Sequence, residues 1–574
     1  MTFPRAIGVC TLAVLAVCEQ GCAQATTQPE AAAPAQPAAP LRPVGPDGFV
    51  QGPPRAGWWN DRVFYEVFVR SFKDHDGDGI GDIPGLIGKL DSLNDGDAKT
   101  TTDLGVTGLW LMPINPSPSY HGYDVTDYYG INPQYGTLDD FRRLVQECHK
   151  RGIAVILDLV LNHCSSRHPW FLEAADPESP KHDWFIWSDA DPGWKGPWGQ
   201  TVWHRSTLAK NRRWYYGLFS PAMPDLNYRT PAVGEEMLRV ADFWIDPGHG
   251  INADGYRLDA IRHLVEDGRV QENTPETHAW LKRFHARCRA ANPRAMSIGE
   301  VWTSSEIAST YVGDQLDMTF EFDLASAMVE TARTGLARPV IEAQARVLRC
   351  YPPNQYGRFL TNHDQTRVLT QLRGDAGAMR TAAALLLLGP GVPFIYYGEE
   401  IGMTGDKPDE HLRRPMRWDD SAGAGFTSGT PWQGLGPDAP SVNVRSEAGD
   451  RGSLLWYYRK LIGLRAEYPA IASGAMVPVV CSDPAVYAFV RTGERPVLVV
   501  INAGAAPATD FTLACAGSPL REKYLPWDVA REPIEGECRG AMLDFGADGS
   551  FRDYRPMKTL APHGASVFVL GRPR

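Results

Sequence analysis

The sequence predicts an α/β fold: a (β/α)8 TIM barrel, a small domain inserted after its third strand, and an all-β domain at the C-terminus. Three observations predict it. Short apolar runs alternate with helical patterns between residues 58 and 470. One interval between two of those runs is far too long for a simple loop. Past residue 470 the pattern is of strands alone. At 574 residues the chain has room for all three units.

Taken in order, the chain opens with an export signal at residues 1–25. Arg5 supplies its positive end, and residues 6–17 form an apolar core shorter than the roughly 20 residues that span a bilayer. Ala23-Gln24-Ala25 fits ordinary signal cleavage, whereas Gly21-Cys22 resembles a lipoprotein signal, with Glu19 where an aliphatic residue is usual. Both endings stay open. The protein is therefore expected outside the cytoplasm, touching a membrane only through a lipid anchor. Residues 26–57, rich in Pro, Ala and Gln, read as a tether. Eight strand candidates follow, at 63–69, 108–112, 154–159, 255–258, 296–299, 316–320, 358–360 and 393–397. The apolar run 381–388 is read as a buried barrel helix, because Gly389-Pro390-Gly391 ends it too early for a membrane span. Residues 163–228 hold seven of the 17 tryptophans and form the inserted domain. The C-terminal unit, 471–574, reads as a β-sandwich with strands at 477–480, 486–490, 496–502, 511–514 and 566–570.

Composition narrows the function. Fifty-seven basic residues against 68 acidic ones give a net charge of -11, which argues against nucleic acid as a partner. Seventeen Trp, 21 Tyr and 21 Phe suit flat apolar ligands such as sugar rings, though large cores use them too. Three of ten cysteines lie in the leader, leaving seven. An odd number cannot all pair; Cys515 and Cys538 are the candidates for one disulfide. With no C-x-x-C, a zinc or thiol-redox site is not expected.

Three acids stand directly after predicted strands: Asp259, Glu300 and Asp364. On a barrel they project into one mouth, at the catalytic face. One such acid is most often a helix cap or a solvated charge. Three on one rim, beside Arg257, His263 and His363, can divide acid, base and nucleophile roles, because crowded carboxyls titrate apart. Glycoside cleavage uses that set without a redox cofactor. No G-x-S-x-G elbow, P-loop or Rossmann fingerprint competes. Arg257, two residues before Asp259, shares its strand face and can hold it ionised.

The blocks GVTGLWLMP (105–113), DLVLNH (158–163), MPDLN (223–227), GYRLDAIRH (255–263), GEVW (299–302), FLTNHD (359–364) and GVPFIYYGEE (391–400) occur in order. Over residues 58–574 the sequence resembles the α-amylase family, glycoside hydrolase family 13. The resemblance implies a retaining mechanism with Asp259 as nucleophile, Glu300 as general acid/base and Asp364 gripping sugar hydroxyls. It also implies substrate contacts from His163, Arg257 and His363, with Tyr123 as a platform beneath the ring being cleaved and His263 at the neighbouring sugar. His163 can also be read as a loop cap.

Asp74, Asp76 and Asp78, with the Ile80 carbonyl, repeat the start of a calcium loop, and Asp82 would close the shell. Position 12 is Gly85, so this is no EF-hand. Four carboxylates in nine residues repel one another unless a cation neutralises them. The expected cofactor is a structural Ca2+, as the resemblance also implies; the plain alternative is an acidic turn.

Within the family, MPDLN is similar to the intermediate or neopullulanase-like α-amylases, and Ala260 to members acting on α-1,4 bonds. Exo-acting members carry an Asp where this chain has Tyr120. The expected activity is therefore α-amylase action on starch-like glucans and maltodextrins. The rivals are an α-glucosidase or transglycosylating relative acting on short maltooligosaccharides or sucrose, and a non-catalytic glucan-binding barrel. The last generally loses one of the three acids, and this chain retains all of them. With no extra β-domain before residue 58, a monomer is expected.

Overall fold

The computed structural model describes residues 57–530 and 540–572. The segments read as an export signal and as a tether, up to residue 56, and Cys538 lie outside the described residues. Among these, no helix is long and apolar enough to cross a membrane.

Eight parallel strands form one sheet: β1 (Phe64–Val67), β2 (Gly108–Leu111), β3 (Ala154–Leu159), β4 (Gly255–Leu258), β5 (Met296–Gly299), β6 (Met318–Thr319), β7 (Gly357–Arg358) and β8 (Val392–Tyr396). Their order is β7-β8-β1-β2-β3-β4-β5-β6, and a parallel bridge from Phe320 to Gly357 closes the ring. Side chains alternate across each strand, so Phe64, Trp110, Ile156, Ile298, Met318 and Phe394 fill the barrel interior. Tyr65, Leu109, Val155, Tyr256 and Ile395 point outward into the larger core under the helices. Helices Leu138–Lys150, Pro231–Ile245, Pro275–Ala291 and Ala376–Leu388 join that outer layer. The last buries every residue from Thr381 to Leu388.

Two strands are shorter than expected. In the predicted strand 316–320 only Met318–Thr319 is regular. In 358–360 the strand is instead Gly357–Arg358, paired to Val392 and Pro393. Phe359 and Leu360 lie beyond its last paired residue. Gly255, at φ +149°, opens β4 where an added Cβ would lie 2.0 Å from the Met296 carbonyl oxygen. No other residue fits there.

The insert after β3 is a three-stranded antiparallel sheet of Trp187–Ser188, Trp214–Tyr216 and Trp203–Arg205. Its own core is Val202, Trp203, Tyr216 and Leu218, with Trp194 and Trp214 packed against it. The C-terminal unit is an antiparallel all-β domain, with eight strands in one sheet and two in another among the described residues. Lys523–Asp528 is a strand there although Pro526 lies within it; that proline weakens the sequence signal. Cys515 is buried in this domain.

Candidate active site

The strand ends converge on Arg257. Asp158 on β3 lies opposite Arg257 on β4 in the parallel register, so both side chains enter the barrel at one level. Arg257 Nη1 donates to Asp158 (2.8 Å to Oδ1) and to Asp259 Oδ1 (2.7 Å). Its Nη2 donates to Glu300 Oε2 (2.5 Å). One buried guanidinium thus holds Asp259 and Glu300 together. Its charge is stabilised by Asp158 against the cost of burial. Ala260 N–H also donates to Glu300 Oε2 (3.2 Å), from a residue at φ +43°. That left-handed residue turns the chain directly after Asp259 and costs about 1–3 kcal/mol, which the surrounding contacts must offset.

Asp364 meets the same centre from β7. His363 Nε2 lies 3.2 Å from Asp364 Oδ2, and Arg413 Nη2 donates to its Oδ1 at 2.8 Å. The other His363 nitrogen, Nδ1, is 2.6 Å from Glu66 Oε1 on β1. Burial opposes charge on His363, but Asp364 and Glu66 outweigh it and push the imidazole up to about 10. The ring is an imidazolium that donates from both nitrogens. Burial likewise opposes charge on Asp364, yet His363, Arg413 and Arg257 hold it far below the usual carboxylate range. Asp259 and Glu300 respond in the opposite sense. Burial lifts Asp259 to about 6, with Arg257 pulling it down, and burial raises Glu300 as well.

Tyr123 stacks on His363 with ring centroids 5.5 Å apart, and its hydroxyl donates to Asp158 Oδ2 (3.0 Å). Beside Arg257 a small recess, with room for about one water, is lined by Glu66, Trp110, Arg257, Glu300, Phe320 and Phe359. His163 is buried; its Nε2 is 3.1 Å from the Tyr123 carbonyl oxygen, the contact expected of a loop cap. Burial pushes its pKa down to about 4. His263 stands at the end of the turn Ile261–His263 that follows Asp259. Its Nδ1 donates to the Gln271 carbonyl (2.8 Å) and its Nε2 accepts from Arg262 (3.0 Å), so neither nitrogen is left for a hydroxyl.

Four participants were not singled out from sequence. Asp158 lies inside a quoted block, and its period-two phase with Arg257 could have found it. Glu66 is an acid within an apolar strand. Arg413 and Trp432 arrive from the segment after β8 and carry no local signal; Trp432 stacks on Tyr120 (5.4 Å), whose ring also faces Arg413 (5.7 Å).

The acidic loop after β1 is a separate place. Asp74, Asp76 and Asp78 bring carboxylate oxygens within 4.8 Å of one another, an oxygen-only set that fits a hard cation. Asp82 stands outside this trio. Its Oδ1 caps the helix Ile83–Ile87 through Gly85 N–H (2.7 Å), and Oδ2 accepts from His75 N–H (2.9 Å). Ile80 lies in the loop and donates its N–H to Asp78 (2.7 Å).

The geometry agrees with comparisons to known proteins. The family described as "Alpha amylase, catalytic domain" matches residues 66–474. The chain is 38% identical to Alpha-amylase 3 of Dictyoglomus thermophilum over 454 residues, covering 78% of this chain and 85% of that protein. It is 34% identical over 513 residues to trehalose-6-phosphate hydrolase of Escherichia coli K12, covering 77% and 90%. Among solved structures, an alpha-amylase from H. orenii superposes with a TM-score of 0.76 at 38% identity, over 89% of this chain and 99% of that one. The chain belongs to the α-amylase family of glycoside hydrolases, glycoside hydrolase family 13.

Proposed function

We propose that this enzyme is an exported α-amylase that hydrolyses α-1,4 bonds of starch-like glucans with retention of configuration. The observation that carries the chemistry is the single guanidinium of Arg257 between Asp259 and Glu300, with Asp364 held ionised beside them. Glu300, whose carboxyl burial raises while Arg257 draws it back, gives its proton to the leaving oxygen as that bond breaks. Asp259, ionised above about pH 6, attacks the anomeric carbon and forms the glycosyl ester. Water then cleaves the ester, and Glu300 takes the water's proton. Asp364 and the His363 imidazolium bind hydroxyls of the ring, and Tyr123 lies beneath it.

The preference for a chain rests on the rim. Where exo-acting relatives place an anionic hook, this site presents the Tyr120–Trp432 stack. The second reading, a hydrolase or transglycosylase of short substrates such as maltooligosaccharides or sucrose, is supported by relatives named trehalose-6-phosphate hydrolase, oligo-1,6-glucosidase and trehalose synthase/amylase. Chromatography of early products from amylose separates the two. Mixed oligomers support the amylase, whereas glucose alone, or turnover of disaccharides only, supports the second reading. The anomer released first, followed by NMR, tests retention.

A structural Ca2+ belongs to the same proposal. Asp74, Asp76 and Asp78 would hold it, and it would neutralise their mutual repulsion.

A further inference from the structure

We infer that three buried arginines at the base of the barrel, Arg358, Arg465 and Arg491, form a binding site for a small monovalent anion of chloride size, which ties the C-terminal domain to the barrel.

The cluster surrounds one turn. Gly389-Pro390-Gly391 leads into β8, at the end of the barrel opposite Asp259, Glu300 and Asp364. Arg358 on β7 donates from Nη1 to the Pro390 carbonyl (2.8 Å), and Arg465 of helix Leu454–Glu467 donates from Nη2 to the Gly391 carbonyl (2.6 Å). Arg491 ends the strand Val486–Arg491 of the C-terminal domain. Its Nη2 donates to Asn354 Oδ1 (3.3 Å), which also accepts from Gly391 N–H (3.3 Å). The same Nη2 reaches the Ala472 carbonyl (3.5 Å), which Arg465 Nη2 shares (3.4 Å). Three elements thus carry three cations to one place, each at most 1% exposed.

Their positive charge is not matched. Among the described residues none of the three pairs with a carboxylate; their partners are carbonyl oxygens and the Met328 sulfur. Buried charge is costly unless it is paired. Burial and the neighbouring guanidiniums draw Arg465 down to about 9 and Arg491 to about 10, so both remain charged at neutral pH.

The shortage falls on Arg491. Arg358 and Arg465 are wrapped by carbonyls, among them those ending helices Ala376–Leu388 and Pro469–Ser473, whose dipoles suit a cation. Arg491 has only its two long bonds; its Nε and Nη1 are buried without an acceptor, and so is the Tyr487 hydroxyl. Tyr487 and Arg491 stand four residues apart on one strand and so share the face toward the barrel, where Tyr487 and Phe489 pack. Donors without acceptors complement an anion and not a cation. Beside them lies a cleft with room for about three waters, walled by Asn354, Tyr356, Pro390 and Met476, the last paired in register with Arg491. That space suits a halide, and its apolar walls disfavour a multiply charged ion, whose desolvation costs more.

The test is thermal unfolding at constant ionic strength, with sodium chloride replacing sodium gluconate, whose anion is too large for the cleft. Chloride at a hundredfold excess over its Kd should raise Tm by about 3 °C. Arg491→Met removes the unmatched cation, and its Tm should not respond to the exchange. Tyr487→Phe keeps the ring and loses one donor, so half-saturation should need about tenfold more chloride; this variant decides the matter if Arg491→Met does not fold. Crystals soaked in bromide should show an anomalous peak beside Arg491. A parent Tm blind to the exchange, a chloride response that both variants leave unchanged, or bromide bound only elsewhere overturns the site and leaves the arginines to the carbonyls alone.

Discussion

Asp259 and Glu300 share a guanidinium but differ in what they need, and pH separates them. Asp259 must be charged to attack, and burial has raised it to about 6. The kcat/KM of the free enzyme should therefore fall as pH drops below about 6, one decade per unit. Asp259→Asn should lower kcat by about 10^4-fold or more and leave thermal unfolding nearly unchanged; retained turnover would refute the assignment. Glu66 acts one step further back. It touches no reacting atom but supplies one of the two carboxylates that keep His363 charged. With Glu66→Gln the imidazole should titrate well below its present value of about 10, visible in the His363 ring shifts by NMR. Activity should then fall at alkaline pH first, because the raised imidazolium form is lost as pH climbs. The stability it lends follows the same sign: full below about 6.5 and lost on the way to 10. A Glu66→Gln enzyme with an unmoved His363 titration would show that Glu66 only fills space.

The turn after β8, Glu399–Ile401, carries two acids that the chemistry does not use. Tyr458 donates to Glu399 Oε1 (2.7 Å) and Tyr65 to Glu400 Oε1 (2.8 Å), while the Oε2 atom of each is buried without a hydrogen bond. Burial lifts Glu399 to about 8 and Glu400 to about 7. Because these folded-state values lie above the unfolded one, the folded protein holds the extra protons. Stability from this turn is full below pH about 4.5 and declines as pH rises toward 8. Glu399→Gln and Glu400→Gln should therefore raise Tm at pH 8 by about 2 °C and change it little at pH 5. A Tm gain of the same size at both pH values would count against buried neutral carboxyls. Legibility follows the same division between elements. Strands β1–β5 were read closely because each is a short apolar run bounded by turn residues. The ends of β6 and β7 were not, since each keeps only two regular residues and pairing with its neighbours, not the letters of the run, sets that length. Asp259, Glu300 and Asp364 could be found because a barrel gathers strand ends. Arg413 and Trp432 could not, since long connections bring them in and only tertiary structure fixes their position.

At the scale of the molecule, the acidic loop and the active site share one support. The segment from Arg413 to Trp432 packs on the loop: Phe426 carbonyl accepts from Asp74 N–H (3.0 Å), Thr427 hydroxyl donates to Asp74, and Trp432 N–H donates to the Gly79 carbonyl (2.9 Å). Gly79 sits at φ +94°, and a Cβ there would lie 1.9 Å from the Thr430 carbonyl oxygen, so the approach requires glycine. At its two ends the same segment holds Asp364 through Arg413 and Tyr120 through Trp432. A cation bound by Asp74, Asp76 and Asp78 would thus steady residues of the mouth without touching substrate. Since it binds the folded chain, Ca2+ at a hundredfold excess over its Kd should add about 2.7 kcal/mol of stability. Chelation should lower Tm and kcat together, readdition should restore both, and Asp76→Asn with Asp78→Asn should make the enzyme indifferent to calcium. If chelator moves neither quantity and calorimetry detects no Ca2+ uptake, the loop is only a capped turn and its grip on the segment is protein alone.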